Sequence, residues 1–181
     1  MTITELAPAK LNLTLDVGAR RPDGYHEITS VMQSAALYDV VTLETVETDD
    51  IVVECPGTDL PTGPDNLAWK AADVFFQETN ILRTGIFIRL EKKIPSQAGL
   101  GGGSSDAAAV LRGMRRLFGA NVSDEALETM AARVGSDVPY CVRGGTALAR
   151  GRGERLAALS PLPMCWFVIV KPPVAHSTAV M

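Results

Sequence analysis

The sequence predicts a fold of mixed strands and helices, and three of its features indicate this. Apolar and polar residues alternate over segments such as 11–17 and 85–92, which is typical of half-buried strands. Apolar residues recur at helical spacing in segment 67–79, which predicts an amphipathic helix. A glycine-rich segment at residues 94–109 leads from a strand-like run into a run of alanines. The length of 181 residues suits one domain, or one domain and part of a second.

The first 54 residues are expected to form mostly strands. With a break near Tyr38 and Asp39, the alternating pattern predicts strands at residues 2–6, 11–17, 29–46 and 51–54. The segment 22–24, Pro-Asp-Gly, indicates a turn before the third of them. Tyr25 and His26 follow this turn, and two interpretations stay open for them. They either stack on and hydrogen-bond a planar base, or pack at the edge of the sheet.

Two polar residues near the start of the second strand are predicted to share a face. Lys10 and Asn12 are two positions apart, and side chains two apart point to the same side of a strand. Leu11, Leu13 and Leu15 occupy the other face, which we expect to face the core. The polar pair is then either an ordinary solvent-facing edge or part of a functional site.

The helices have recognisable boundaries. Asp65 or Asn66 is expected to cap the helix over residues 67–79, because a short oxygen side chain accepts from free backbone N–H groups. Ser123 is expected to cap a later helix that stops at Gly135.

The remaining part of the chain is read as strands and one turn. Asp137 precedes Pro139 in a turn, where it either bonds its own backbone or serves as a functional carboxylate. Further strands are predicted at residues 140–142, 146–149, 154–159 and, as a buried central strand, 165–170.

Composition excludes several functional classes. The formal charge of −4 and the pI near 5.2 argue against a basic nucleic-acid face. No apolar run is as long as a membrane span, no signal-peptide pattern is visible, and the fold is expected to begin near residue 1. Cys55, Cys141 and Cys165 lack zinc-ligand spacing and predict reduced, buried thiols of a cytosolic protein. His26 and His176 are the only histidines, which excludes a multi-histidine metal site.

The glycine-rich segment predicts a phosphate-binding loop at the start of a helix. Four glycines lie within five positions, and Ser104, Ser105 or Asp106 is expected to cap the helix, which ends near Gly119. A helix N-terminus has unpaired N–H groups and partial positive charge, and glycines let its backbone approach an anion. The alternative is a flexible surface linker. The segment is no Walker A loop, which needs a lysine after the last glycine, and no Rossmann fingerprint, which needs glycine or alanine where Ser104 stands.

Five segments together resemble one enzyme family. The loop sequence P-x-x-A-G-L-G-G-G-S-S-D-A-A resembles the second motif of the GHMP kinases, and its long form resembles the 4-diphosphocytidyl-2-C-methyl-D-erythritol kinase branch. Four further segments, in the same order as in that branch, are P-A-K-L-N-L at 8–13, R-P-D-G-Y-H at 21–26, D-N-L at 65–67 and G-S-D-V-P at 135–139.

The resemblance implies an architecture. The family's N-terminal half has an α+β, two-layer fold that is also found in a small-subunit ribosomal protein. Residues 1–170 would form this ATP-binding and catalytic domain. Residues 171–181, with the pair Ser177 and Thr178, would begin the linker to a second domain. Family chains are longer than this one, so turnover by this chain alone stays open.

The resemblance also implies a reaction. ATP with Mg²⁺ would phosphorylate the 2-hydroxyl of 4-diphosphocytidyl-2-C-methyl-D-erythritol. Asp137 would be the general base, and Lys10 its electrostatic partner. Asn12 would hold the methylerythritol hydroxyls, Tyr25 would pack on the nucleoside, and His26 would bond the cytosine edge.

The nucleotide-binding residues are carried over in the same way. Asn66, Leu67 and Lys92 would line the adenine side. The phosphates would be wrapped by the loop residues Pro95, Ala98, Gly99, Leu100, Gly101, Gly102, Gly103, Ser104 and Ser105. Ser105 and Asp106 are candidates for a metal ligand.

Two other functions remain open at this point. One is a GHMP kinase with a different small-molecule acceptor, which would have no need of Tyr25 and His26. The other is a nucleotide-binding domain without turnover. Neither a nucleic-acid nor a membrane partner is expected, and the oligomeric state is open.

Overall fold

The computed structural model describes residues 1–172 and contains one sheet and four helices in that range. The strands are β1 (Thr2–Arg20), β2 (His26–Val46), β3 (Ile51–Glu54), β4 (Gly85–Glu91), β5 (Thr146–Gly151) and β6 (Arg155–Ala158). The helices are α1 (Leu67–Glu78), α2 (Gly102–Leu117), α3 (Asp124–Val134) and α4 (Val138–Arg143). The predicted α+β class is confirmed. His176, Ser177 and Thr178 lie outside the described residues, as does all but the start of the predicted linker.

β2 organises the sheet because it pairs with three other strands. Most of its length pairs with β1, its second half with β4 and its first half with β5, all antiparallel. β3 extends the sheet beyond β4 in parallel, and β6 beyond β5 in antiparallel orientation. Alternate residues of β2 and β4 are fully buried against the helices, for example Val41, Leu43, Ile86 and Ile88. This face of the sheet and the helices α1 and α2 enclose the core.

The first strand differs from its prediction. The segments 2–6 and 11–17 are one strand, β1, and the predicted break at Tyr38 is a register shift in β2: Pro8 pairs with Tyr38, whereas Ala9 pairs with Ala35. Two extra residues of β2 therefore bulge there while the chain stays extended.

The predicted core face of β1 is only partly buried. Leu11 packs against the small cluster of Ala9, Ile94 and Leu100, but Leu13 and Leu15 are 38% and 53% exposed. All residues from 13 to 20 are exposed, because the helical layer does not extend over this half of the hairpin. The alternation of apolar and polar residues therefore identified which side chains share a face, but not whether other elements bury that face.

The helix boundaries agree with most of the capping residues predicted from the sequence. Asn66 caps α1 by accepting from Ala68 N at 2.8 Å, and Ser123 caps α3 by accepting from Ala126 N at 3.2 Å, as predicted. The predicted side-chain cap of α2 is wrong: the helix begins at Gly102, and its N-cap is Gly101 in the left-handed region, without a side-chain bond. Gly119 follows the end of α2, and Gly135 caps α3, both as predicted.

The end of the described chain also differs from its prediction. Residues 140–142 belong to helix α4 rather than a strand, with Pro139 in its first turn, where a missing N–H costs little. The hairpin of β5 and β6 is confirmed. Residues 165–170 form no strand, and Trp166 is 93% exposed. A continuous apolar run indicates burial somewhere but does not say which partner covers it.

The cysteines and the helices bear on two further expectations. Cys55 and Cys141 are buried free thiols, as predicted, whereas Cys165 is exposed. Burial raises the pKa of Cys141 to about 12, so this thiol is not a nucleophile at neutral pH. Within residues 1–172, none of the helices has the length and apolar composition needed to cross a membrane.

Candidate active site

A cleft of about 430 Å³ lies over the glycine loop, residues 94–101, and the start of α2. The predicted residues that line it are Lys10, Leu67, Lys92, Pro95, Ala98, Gly99, Leu100, Gly101, Gly102, Gly103, Ser104 and Asp137. Leu60, Ile94, Ser96 and Gln97 line it as well. Most residues that the family resemblance assigned to ATP and to the phosphoryl-transfer step therefore surround one cleft.

The loop reaches α2 through a conformation that favours glycine. Gly101 has φ of 67°, and a Cβ built there would lie 2.7 Å from Cγ of Lys10. Any side chain at this position would therefore strain the backbone and push Lys10 away. The free N–H groups of the first turn of α2 follow immediately, as an anion-binding helix start requires.

Lys10 and Asp137 form an ion pair at the side of the cleft. Nζ of Lys10 lies 3.3 Å from Oδ2 of Asp137 and donates to Oδ1 of Asn12 at 2.7 Å. Nδ2 of Asn12 donates to Oγ of Ser30 at 2.7 Å, and that hydroxyl donates to the carbonyl of Thr14 at 2.6 Å. Lys10 is only 8% exposed. This chain of bonds fixes its ammonium beside the carboxylate.

The carboxylate of Asp137 is free to act in a reaction, because it is not used to cap a helix. Asp137 is the N-cap residue of α4, yet its side chain makes no capping bond there. Its carboxylate is 32% exposed on the cleft side of the ion pair. A partly exposed carboxylate beside a fixed ammonium can accept a proton while the positive charge stabilises a developing oxyanion.

The base of the loop rests on a cluster of buried charges, Lys92, Asp39 and Asp106. Nζ of Lys92 donates to both carboxylates. Burial raises the pKa of Asp106 to about 7, because one ammonium cannot compensate two desolvated carboxylates. Burial alone would lower the pKa of Lys92, but the charges of Asp106 and Asp39 raise it on balance.

Of the residues predicted to bind the nucleotide or a metal ion, three do not line the cleft. Asn66 is buried and occupied by capping α1, while its Nδ2 donates to the carbonyl of Pro61 at 2.7 Å. Oγ of Ser105 donates to the carbonyl of Pro8 at 2.7 Å, and Asp106 is 2% exposed beneath the loop. Both belong to α2 but do not line the cleft.

Magnesium, which the family resemblance implies, does not fit these two side chains. The hydroxyl of Ser105 is already committed, and the ammonium of Lys92 beside Asp106 would repel a divalent ion. Within residues 1–172, no group of three or more His, Cys, Asp or Glu side chains could hold a metal ion. Ser105 and Asp106 are therefore not suited to be metal ligands.

Tyr25 and His26 lie on the exposed outer end of the β1–β2 hairpin, apart from the cleft. The guanidinium of Arg152, in the turn between β5 and β6, lies 5.0 Å from the centre of the Tyr25 ring. A Cβ built at the next residue, Gly153, would lie 3.8 Å from Oδ1 of Asp137. The turn from Arg152 to Gly153 thus connects the Tyr25 region with the carboxylate.

Sequence reasoning missed several residues of this region. Leu60 and Ile94 receive no role from the sequence, although Leu60 lies near D-N-L and Ile94 lies at the start of the glycine-rich segment. Gln97 has φ of 53°, which marks it as an unusual loop residue. Arg152 carried no local signal, because its contact with Tyr25 is between distant parts of the chain.

The chain is similar in sequence to known proteins. Residues 66–145 match the family described as "GHMP kinases N terminal domain". The chain is 47% identical to 4-diphosphocytidyl-2-C-methyl-D-erythritol kinase of Enterococcus faecalis, over 99% of this chain and 63% of the relative. It is 52% identical to the kinase of the same name of Heliobacterium modesticaldum, over 96% of this chain and 55% of the relative.

Solved structures agree with the sequence matches. A crystal structure of 4-(cytidine 5'-diphospho)-2C-methyl-D-erythritol kinase superposes with a TM-score of 0.74 at 42% identity, covering 89% of this chain and 56% of that one. A mevalonate kinase superposes with a TM-score of 0.69 at 15% identity, covering 87% and 56%, which shows a shared fold alone. The chain spans 55% to 63% of the length of the two relatives named above.

Proposed function

We propose, from the premise that this chain belongs to the GHMP kinase family, that it carries the ATP-binding and phosphoryl-transfer half of a small-molecule kinase. The observation that carries the proposal is the ion pair of Lys10 and Asp137 beside Gly101, at the mouth of the glycine loop. A proton acceptor, a fixed positive charge and a phosphate-binding loop meet there in a single cleft.

The acceptor that we propose is 4-diphosphocytidyl-2-C-methyl-D-erythritol, phosphorylated on its 2-hydroxyl. Relatives at 47% and 52% identity bear the name of its kinase. Tyr25 and His26, an aromatic ring and an imidazole on an exposed turn, suit a cytosine ring. An acceptor without a nucleobase would have no use for this pair. The buried free thiols of Cys55 and Cys141 are compatible with the reducing cytoplasm in which we place the protein.

The positions of the side chains support the following reaction. Asp137 accepts the proton of the acceptor hydroxyl, whose oxygen attacks the γ-phosphorus of ATP. The bond from the γ-phosphorus to the bridging oxygen breaks, and ADP leaves with that electron pair. Lys10 stabilises the negative charge that develops on the acceptor oxygen. Asn12, bonded to the ammonium of Lys10, holds the neighbouring hydroxyls of the acceptor.

The glycine loop binds the ATP phosphates through its backbone. Residues Gly99, Leu100, Gly101 and Gly102 offer N–H groups, and the dipole of α2 adds partial positive charge. Leu67 packs beside the adenosine. Mg²⁺ would enter with ATP, where it neutralises charge on the phosphate oxygens.

The test is phosphorus NMR of this chain, and of a form extended to the length of its relatives, with Mg-ATP and the diphosphocytidyl acceptor. A new phosphate-monoester signal on the acceptor supports the proposal. A signal from the extended form alone would mean that residues beyond this chain complete the site. ADP without acceptor phosphorylation would favour another acceptor, and bound ATP without turnover in both forms would favour a binding domain. Asp49→Asn, an exposed loop change, serves as the matched control for carboxylate variants.

A further inference from the structure

The buried cluster of Lys92, Asp39 and Asp106 lies at the junction of three elements. Lys92 directly follows β4, Asp39 is in β2, and Asp106 is in α2. Asp39 is 0% exposed, Asp106 is 2% exposed, and the Lys92 side chain is 9% exposed. The Lys92 ammonium donates to both carboxylates, so its charge is held between β2 and α2.

This cluster holds both ends of the glycine loop. At the start of the loop, Oδ1 of Asp39 accepts from the backbone N–H groups of Lys93 and of Ile94, the latter at 2.8 Å. At the end of the loop, α2 begins at Gly102, and a Cβ built there would lie 3.4 Å from Nζ of Lys92. The ammonium of Lys92 therefore connects the start of the loop, through Asp39, with helix α2 at the end of the loop, through Asp106.

We propose that Lys92 is a positioning residue for the ATP site. It sets the distance between the two ends of the loop and thereby the directions of the phosphate-binding N–H groups. Its ammonium does not contact the nucleotide base. This inference rests on the proposed function of the loop. It differs from the adenine-side role that the family resemblance implied for Lys92.

Energetics favour the positioning role over a direct contact. If the ammonium left the cluster to reach a base, two buried carboxylates would lose their counter-charge, which is strongly unfavourable. With both carboxylates ionised the cluster has one negative charge more than Lys92 compensates, and Oδ1 of Asp106 has no hydrogen-bond partner. Of the three side chains, Lys92 alone supplies positive charge, so it is the member whose loss should loosen the loop.

The first experiment separates positioning from base contact. Lys92→Met keeps the length of the side chain and removes the charge, and the neighbouring exposed Lys93→Met is the matched control. Isothermal titration gives the Kd of each protein for Mg-ATP, Mg-GTP and Mg-tripolyphosphate. We expect Lys92→Met to weaken all three by the same factor, about tenfold, while Lys93→Met changes none. Weaker ATP binding with unchanged tripolyphosphate binding would indicate a base contact and overturn the proposal.

The second experiment does not depend on any ligand. Amide hydrogen exchange of Ile94 and Ser105, whose N–H groups are bonded at the two ends of the loop to Asp39 Oδ1 and to the carbonyl of Gly101, is compared among the wild type, Lys92→Met and Lys93→Met. We expect faster exchange in Lys92→Met alone, since the loop would open more often. Equal exchange in all three proteins would overturn the proposal. If the wild type binds none of the three probes, the proposed function fails, whereas this comparison still decides the role of Lys92.

A double variant tests the role of Lys92 even if Lys92→Met alone does not fold. Lys92→Met leaves two buried carboxylates and can unfold the chain for that reason. Lys92→Met combined with Asp106→Asn leaves one, and Asp106→Asn alone is its reference. Faster loop exchange in the double variant than in Asp106→Asn supports the proposal, and equal exchange contradicts it.

Discussion

The inner half of the β1–β2 hairpin, around Lys10, and its outer half, around Tyr25, differ in how firmly they hold their polar side chains. In the inner half, Lys10 is 8% exposed and bound to both Asn12 and Asp137. In the outer half, Tyr25 is 50% exposed and is held by turn bonds and the guanidinium of Arg152. The groups proposed for phosphoryl transfer are thus fixed by the packing of this domain, whereas those proposed for the acceptor base are held at the surface.

The largest effect is expected from Asp137, the carboxylate that pairs with Lys10 of the inner half. Asp137→Asn keeps the shape of the side chain but removes the proton acceptor, so we expect kcat to fall by roughly 10²–10⁴-fold. ATP affinity should stay close to that of the wild type, because the loop is untouched. Steady-state kinetics and ATP titration measure the two quantities, beside the Asp49→Asn control. Wild-type turnover of Asp137→Asn would remove the base assignment.

The next effect tests how closely the loop must approach Lys10. Gly101→Ala places a Cβ 2.7 Å from Cγ of Lys10 on a residue with φ of 67°. Gly99→Ala, at φ of 70° with open space around it, is the control for backbone strain without the clash. We expect Gly101→Ala to lower kcat/KM at least about tenfold more than Gly99→Ala does. Equal losses would mean that strain alone, and not the Lys10 contact, explains the effect.

A substitution in the outer half of the hairpin should affect binding of the acceptor but not of ATP. His26→Ala removes the proposed hydrogen bonds to cytosine, and we expect the acceptor KM to rise about tenfold with an unchanged KM for ATP. Leu15→Ala, on the same exposed hairpin, is the control. A parallel rise of both KM values would place His26 outside the acceptor-binding region.

The buried cluster beneath the loop predicts a pH effect on stability. The pKa of Asp106 is raised by burial from 3.8 to about 7, so between these values the unfolded chain has lost a proton that the folded chain keeps. The contribution of this group to stability is therefore complete below the lower value and lost as pH rises through the higher one. Asp106→Asn has no such proton, and its unfolding free energy should decrease less over this window than that of the wild type. Urea unfolding at about pH 5 and about pH 8 makes the comparison, and parallel curves would contradict it.

The smallest effect is expected on the exposed leucines. Leu15→Ala should change the unfolding free energy by less than about 0.5 kcal/mol, because its side chain contributes little to the core. Leu43→Ala, fully buried between the sheet and α2, should cost about 2–5 kcal/mol. A large loss from Leu15→Ala would show that the outer hairpin is packed in solution.

The sequence by itself determined the features that depend on neighbouring residues. The caps Asn66 and Ser123, the ends of α2 and α3, and the β5–β6 hairpin follow from hydrogen bonds and backbone preferences within a few positions. The glycine loop and the Lys10–Asn12 pair were recognisable for the same reason. The resemblance to a kinase family then brought Asp137 to attention, although its own turn did not.

Tertiary structure decided what each side chain meets across the fold. It brought Lys92 between Asp39 and Asp106, which come from positions 53 and 14 residues away. It moved the start of α2 to Gly102, where Gly101 packs on Lys10, and it left Leu13, Leu15 and residues 165–170 exposed. Local patterns set periodicity and turns, but burial and charge pairing depend on the layers that pack on them.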